Sequence, residues 1–506
     1  MEEQERIQRR QHIRLIVTEI LMFVVVIFLV IFLTLVVMGY SFNLRGIGGQ
    51  GEVVERTGLV QISSVPAGAT ITIDGGAPLL LRTNASRTVI SGEHEITLSR
   101  DGFDIWSKTI NVVEGLIYRL NYPRLFLLER DVEKVSSFDK KDVNVVGVSP
   151  NAERMVLVID GDLGIMELNV AVPDIKMAKI EETSGEKVAK KVETVSEVAW
   201  SNNSERLLAK MNGEYFVINV KNLDEVVNVS EVVRSYSEMK RESLVRSAEA
   251  KENGVEEVAI EIAGLKFESD AGDKLLLLTT SGELREINLR EKNVSEAFLT
   301  DVIKFDNDGE RIAYLASRSV IDEDNGEKKT LYELRAYRMG AVDSYLVRLV
   351  RNSDVKIAVM RYLQDFYFTA LDELSLKIYK SGFWPEKDDA VQKIVDTKLS
   401  FLVEKLDRCG KGMVLAMSAG VKQAVFDIEA AQIKEFEMGE ENGWVDEFLR
   451  YEIHEGGGLE VLDYDGLNRR SLVSAGVQSG KVITISGNGR WLYYFAEGEL
   501  VREKIL

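Results

Sequence analysis

Apolar and polar residues are distributed along this chain in three successive regimes. The first is a single block: Ile20–Met38, ILMFVVVIFLVIFLTLVVM, holds 19 residues without a charge. As a helix rising about 1.5 Å per residue, such a block spans nearly the hydrocarbon core of a bilayer. The second regime, residues 58–127, has period two. Ile71 and Ile73 share one face, His94, Ile96 and Leu98 alternate, and Ile110 and Val112 run up to Gly115. Turn formers interrupt it at Pro66 with Gly68, at Asp74-Gly75 and at Asp101-Gly102. Together these predict a compact antiparallel β-sandwich of about seventy residues, enough to fold alone.

The third regime repeats. SPNAERMVLV at 149–158 has relatives in SNNSERLLAK, SDAGDKLLLL, DNDGERIAYL and SGNGRWLYYF, which align Ser149, Ser201, Ser269, Asp306 and Ser486. A basic residue follows (Arg154, Arg206, Lys274, Arg311), with Trp491 in the last copy, and then an apolar strand. Strands also precede and follow each unit, giving three to four strands per copy, the pattern of a propeller blade. The steps are 52, 68 and 37 residues, and the 180 residues from Asp306 to Ser486 make four steps of 45. Three weaker copies fill that gap, beginning near Ile357, Leu402 and Trp444. The count is eight, with seven as the alternative, and a spacing near 45 suits blades. The last copy supplies three strands, so the stretch at 124–135 is expected to add the fourth and close the ring. The 68-residue step holds an insertion near 230–262, in which 237–254 is polar, rich in helix formers and ended by Asn-Gly.

At 506 residues the chain exceeds one ordinary core. Its expected organisation is a tail (1–14), a transmembrane helix (15–39), a linker (40–57), the sandwich (58–123) and the ring (124–506), mainly β overall. Arg6, Arg9, Arg10 and Arg14 precede the apolar block, whereas Arg45 and Arg56 are the only basic residues in the twenty that follow. The tail should therefore stay in the cytoplasm and the remainder be translocated. VMGYSFNLRG offers no small-residue cleavage site, which favours an uncleaved single-pass anchor over a signal peptide. The net charge of −19 argues against nucleic acid as a partner. Cys409 is the sole cysteine, so no intrachain disulfide can form.

Val65-Pro66-Ala67-Gly68-Ala69, Asp74-Gly75, Gly92 with His94, and Gly102-Phe103 occur in an order that resembles the PEGA domain. That resemblance implies an extracytoplasmic module of surface architecture or protein contact, and no enzyme. Where that family often carries Thr-Pro after the Asp-Gly turn, this chain has Ala77-Pro78 and LLLRTNAS. The repeated turn resembles the Ser-Pro-Asp-Gly repeats of TolB-like and WD40-like propellers over 124–506, with Pro150 and Gly309 keeping parts of the motif.

Motifs of chemistry are sparse. The histidines are His12, His94 and His454, and none has a Cys or carboxylate at a recognised metal-ligand spacing. G-x-S-x-G, H-E-x-x-H and phosphate-loop patterns are missing, so no catalytic, cofactor-binding or metal residue is assigned. IDEDNGEKK at 321–329 places Gly326 fifth from Asp322, where a calcium loop needs it sixth, so Asn325-Gly326 reads as a hairpin turn. Cys409 has a basic setting that could lower its thiol pKa, yet a lone thiol in a turn is more often incidental. The expected role is a membrane-anchored binding or scaffold protein in the cell envelope. Its partner would be an envelope protein or surface polymer; a hydrolase using the propeller funnel is the alternative.

Overall fold

The computed structural model describes residues 2–37, 40–42, 54–137, 143–170, 173–178, 192–246, 260–321, 328–341, 344–382, 391–409 and 412–506. They form two compact units, Met1–Glu129 and Arg130–Leu506. The first opens with helix α1, Glu2–Val37, longer than the expected span because the tail is itself rich in helix formers. Within it Ile16–Leu35 is long and apolar enough to cross a membrane, and none of it is buried by protein. Its one hydroxyl beyond residue 20, on Thr34, donates to the Val30 carbonyl at 2.8 Å. The expected linker is partly sheet: Tyr40–Phe42 pairs antiparallel with the start of Val54–Ile62, Tyr40 opposite Arg56. Its middle, including the Gly-rich stretch, lies outside the described residues.

The small module has two sheets. Val54–Ile62 lies between Tyr40–Phe42 and Ala85–Ile90 in one and also pairs in parallel with Ile117–Leu120; Thr70–Ile73, Gly92–Ser99 and Trp106–Val112 make the other. Ile71, Ile96, Leu98, Ile110 and Val112 of the alternating residues are buried as expected, and so is Trp106. Leu125 and Phe126 are buried as well, and the Leu125 amide donates to the Val65 carbonyl at 2.9 Å. Residues 124–129 thus pack with this module, and the first compact unit runs on to Glu129.

Among the described residues the second unit contains eight four-stranded antiparallel sheets, seven of them built wholly from strands adjacent in sequence. Sheets 1–7 span 143–177, 195–228, 262–294, 302–350, 356–398, 405–437 and 441–473. Sheet 8 joins 484–504 to Val132–Ser137, which pairs antiparallel with Glu499–Lys504. The middle strands are buried nearly throughout, as Arg206–Met211 and Glu214–Asn219 are. Each sheet therefore packs on both faces, and apolar clusters join sheet 1 to 2, 2 to 3, 3 to 4, 4 to 5 and 5 to 6. Tyr493, Phe495 and Leu500 of sheet 8 pack with Val145, Met155 and Leu157 of sheet 1, which closes the ring. First strands of neighbouring sheets approach one another and line its interior. This succession of radially packed meanders is a β-propeller.

Three of the repeated turns share one construction. Ser149 Oγ donates to Asn151 Oδ1 (2.8 Å) and accepts from the Arg154 amide (3.0 Å). The same bonds recur around Ser201 (2.7 and 2.9 Å) and Ser486 (2.8 and 3.0 Å). The fourth position is left-handed, with Ala152 at φ 50°, Gly272 at 71°, Gly309 at 97° and Gly489 at 73°. Glycine thus stands there in three copies, Gly272 and Gly489 as well as Gly309. Neighbouring turns are stitched together, as where Asn202 donates to Asp270 at 2.6 Å and the Gly487 amide to the Ala152 carbonyl at 2.7 Å.

The insertion is a helix, α2, Val229–Arg246, starting eight residues before 237. Asn228 caps it by accepting from the Glu231 amide at 3.0 Å, and Val229, Val232 and Val233 are buried between sheets 2 and 3. Those valines, spaced as a helical stripe, fix its start. Residues 247–259, with the Asn-Gly end, lie outside the described residues. So does the Asn325-Gly326 turn, although Arg311–Ile321 and Lys328–Arg338 pair end to end on either side of it.

Candidate functional site at the channel mouth

First strands end in the turns that gather at one end of the ring interior. There a cavity of about 860 Å³ is lined by Pro150, Trp200, Glu268, Asp308, Arg361 and Glu447 together with neighbours such as Cys409. These come from seven successive sheets, so the site exists only once the blades are assembled.

One wall is an ionic junction centred on Asp306, which is 6% exposed. Its Oδ1 lies 2.6 Å from Lys266 Nζ and 3.6 Å from Arg408, and its Oδ2 accepts from the Val359 amide at 3.0 Å. Arg408 also donates to the carbonyls of Asn307 (2.8 Å) and Val359 (3.0 Å). The first strands of sheets 3, 4, 5 and 6 are thereby tied together. Burial would raise the Asp306 pKa, but the charges of Arg408 and Lys266 outweigh it and hold the carboxyl below its ordinary value. The fourth repeat carries Asp where the others carry Ser, and that was the one signal of this junction in the sequence.

Asp308, two residues on, behaves oppositely. Its Oδ1 accepts from the amides of Glu310 (3.0 Å) and Arg311 (2.8 Å), while its Oδ2 is buried without a hydrogen-bond partner. Burial pushes its carboxyl up. Glu268 is also raised, by burial and then by the nearby charge of Glu286. The mouth therefore combines fixed cations with two carboxyls that take protons more readily than usual, an arrangement suited to ligands that both donate and accept hydrogen bonds.

Cys409 shows no activation of its thiol. Burial and the neighbouring Asp407 push its thiol up, so the basic flanks do not yield a thiolate. His94 is structural: its ring bonds Asp74 Oδ2 (2.7 Å) and the Ile90 carbonyl (2.8 Å), and Asp74 accepts from the Glu95 amide (2.9 Å), bracing the Asp74-Gly75 turn. His454 does have carboxylates nearby. Its Nε2 is 3.7 Å from Glu452 and 3.2 Å from Glu460, because Glu452 precedes it by one strand period and Glu460 pairs opposite Glu452. The i, i+2 spacing was visible in the sequence, whereas the cross-strand partner was not. Arg469 bonds Glu452, and the Gly439 amide donates to it at 2.8 Å, so that carboxylate is already satisfied. The His12 side chain lies outside the described residues.

Residues 57–124 match the PEGA domain family. No curated protein matches the chain. Among solved structures, the C-terminal WD40 domain of Sif2 aligns at 11% identity and TM-score 0.42, covering 74% of this chain and 98% of that one. An oligogalacturonate lyase in complex with manganese aligns at 10% and 0.36 (61% and 88%), and Porphyromonas gingivalis dipeptidyl peptidase 4 at 12% and 0.40 (72% and 56%). Sheet topology and ring closure make the second unit a β-propeller.

Proposed function

We propose that this chain is a single-pass membrane protein whose PEGA module and propeller lie outside the cytoplasm, and that its work is to bind or scaffold an envelope protein or surface polymer. The observation that carries the reading is the helix at Ile16–Leu35, apolar on all sides and unburied throughout, joined to a PEGA module. A helix of that composition suits an apolar solvent, and the Arg6–Arg14 cluster favours a cytoplasmic tail. The propeller supplies a broad face of turns and a charged mouth for contact. Protease added to intact cells should degrade both modules and leave α1 protected; full protection of the modules would refute the topology. For the binding role, solubilised full chain and a variant lacking 237–254 are compared by affinity capture. That deletion spares Val229, Val232 and Val233, which hold the helix start in the core. A partner captured by the full chain and lost with the deletion places the working face at the insertion.

The raised carboxyls of Asp308 and Glu268 favour a second reading, a hydrolase acting in the mouth. Turnover of a glycan or peptide substrate that Asp308→Asn abolishes, with folding intact, would replace the binding reading by this one.

A further inference from the structure

The small module carries a set of exposed apolar side chains at one end, and the sheet register identifies that end. Thr57 pairs with Ile90, so the last residue of Ala85–Ile90 lies beside the start of the central strand. Leu59 pairs with Ile117, and its amide donates to the Leu116 carbonyl at 2.9 Å. The Gly115 amide donates to the Thr57 carbonyl at 3.0 Å, and a Cβ on Gly58 would strike the Val113 carbonyl oxygen at 2.6 Å. Ile90, Val113, Leu116 and Ile117 therefore surround the same strand start, and they are 48%, 49%, 61% and 41% exposed. Nearby, Arg56 and Glu114 neutralise each other at 2.9 Å.

That strand start is also where the chain arrives from α1. The helix ends at Val37, and only three positions later Tyr40 is paired opposite Arg56, next to Thr57. Consecutive Cα atoms are about 3.8 Å apart, so three steps hold this end of the sandwich within roughly 11 Å of the helix terminus. The short reach selects the occupant of the apolar set. We infer that Ile90, Val113, Leu116 and Ile117 insert into the headgroup boundary of the bilayer that α1 crosses, seating the PEGA module on the lipid surface. This inference rests on the membrane reading of α1. Apolar side chains placed at that depth stabilise interfacial contact in proportion to the area they bury.

The test uses the full chain reconstituted in phosphatidylcholine/phosphatidylglycerol vesicles. With Cys409→Ser as background, an environment-sensitive fluorophore is attached at Val25→Cys, Leu116→Cys, Ile90→Cys or Leu80→Cys, and quenching by doxyl-labelled lipids is measured. Leu80 is 98% exposed and equally apolar, but its loop adjoins Ile71 and Thr83, beyond the opposite end of the central strand. Probes at 116 and 90 should be quenched at least about twofold more than the probe at 80, as for groups 5–10 Å inside the boundary. Strong quenching at 25 with equal, weak quenching at 116, 90 and 80 overturns the seating while leaving the anchor intact. Equal, strong quenching at 116, 90 and 80 also overturns it, since the set would then have no preferred orientation. No quenching at 25 refutes the anchor itself, and the inference falls with it. The three module positions are solvent-facing, so none of the substitutions opens a core; circular dichroism of each labelled protein verifies the fold.

Discussion

Replacing Asp306 by Ala should loosen the propeller at its channel mouth. The substitution leaves the Val359 amide without its acceptor, and Lys266 and Arg408 without their shared carboxylate. Breaking a buried pair costs about 3–5 kcal/mol when the remaining charge is sealed in. Here the two cations keep 42% and 36% of their side-chain surface in solvent, and recovered hydration brings the ionic part to about 2 kcal/mol. The orphaned amide adds about 1–2 kcal/mol. With an unfolding entropy near 2.1 cal/mol/K per residue, the unit from Arg130 to Leu506 loses stability at roughly 0.8 kcal/mol per kelvin. A total of about 3–4 kcal/mol then lowers Tm by about 4–5 °C. Asp306→Asn retains an acceptor for Val359 and should lose about half as much. Because the folded carboxyl titrates below its ordinary 3.8, its stabilisation is complete above that pH and disappears as pH falls through the folded value. The Tm gap between wild type and Asp306→Asn, followed by calorimetry, should thus stay constant from neutral pH down to about 4 and narrow below. A Tm for Asp306→Ala within about 1 °C of wild type, or a gap unchanged at pH 3, would refute the junction's role.

Ring closure is testable through Arg502, which bonds Glu133 at 2.6 Å and stacks 4.1 Å above Trp491. Glu133→Arg should destabilise the propeller by about 1–3 kcal/mol in urea titration, and adding Arg502→Glu should restore part of it. Gly487→Ala drives a Cβ to 2.3 Å from the Asn151 carbonyl oxygen and should cost about 1–3 kcal/mol. Gly498→Ala, left-handed at φ 81° but facing open space, should cost about 1 kcal/mol. In the small module, Asp74 is held below the ordinary carboxylate range first by its hydrogen bond to His94. His94→Ala should raise the Asp74 midpoint observed by NMR titration.

The two β regimes were legible because each depends on local chemistry. Period-two alternation set the inward face of Ile96 and Leu98, and Ser, Asn and a left-handed fourth residue specified the turns at Ser149, Ser201 and Ser486 within a few positions. Degenerate copies were also readable, since the strands of sheets 5, 6 and 7 keep their apolar runs after losing the turn motif. Three features escaped. Pairing of Tyr40–Phe42 depends on a partner across the Gly-rich stretch. The start of α2 depends on burial of Val229 and Val232 against sheet 3, which outranks the polar composition after residue 237. Asp306 meets Lys266, Val359 and Arg408 from 40, 53 and 102 residues away, and only the assembled ring brings them together.

Pairing of Val132–Ser137 with Glu499–Lys504 also sets a clock on biogenesis. The first of these strands is synthesised about 360 residues before the second, and at 5–20 residues per second it waits roughly 20–70 s for its partner. Through that interval its backbone offers an unpaired edge to any passing chain. Glu133 and Lys134 lie within that edge, and their charges discourage mispairing while the strand is alone. The same two residues then bond Arg502 and Glu499 when the ring closes. One pair of side chains thus guards the nascent strand and afterwards latches it.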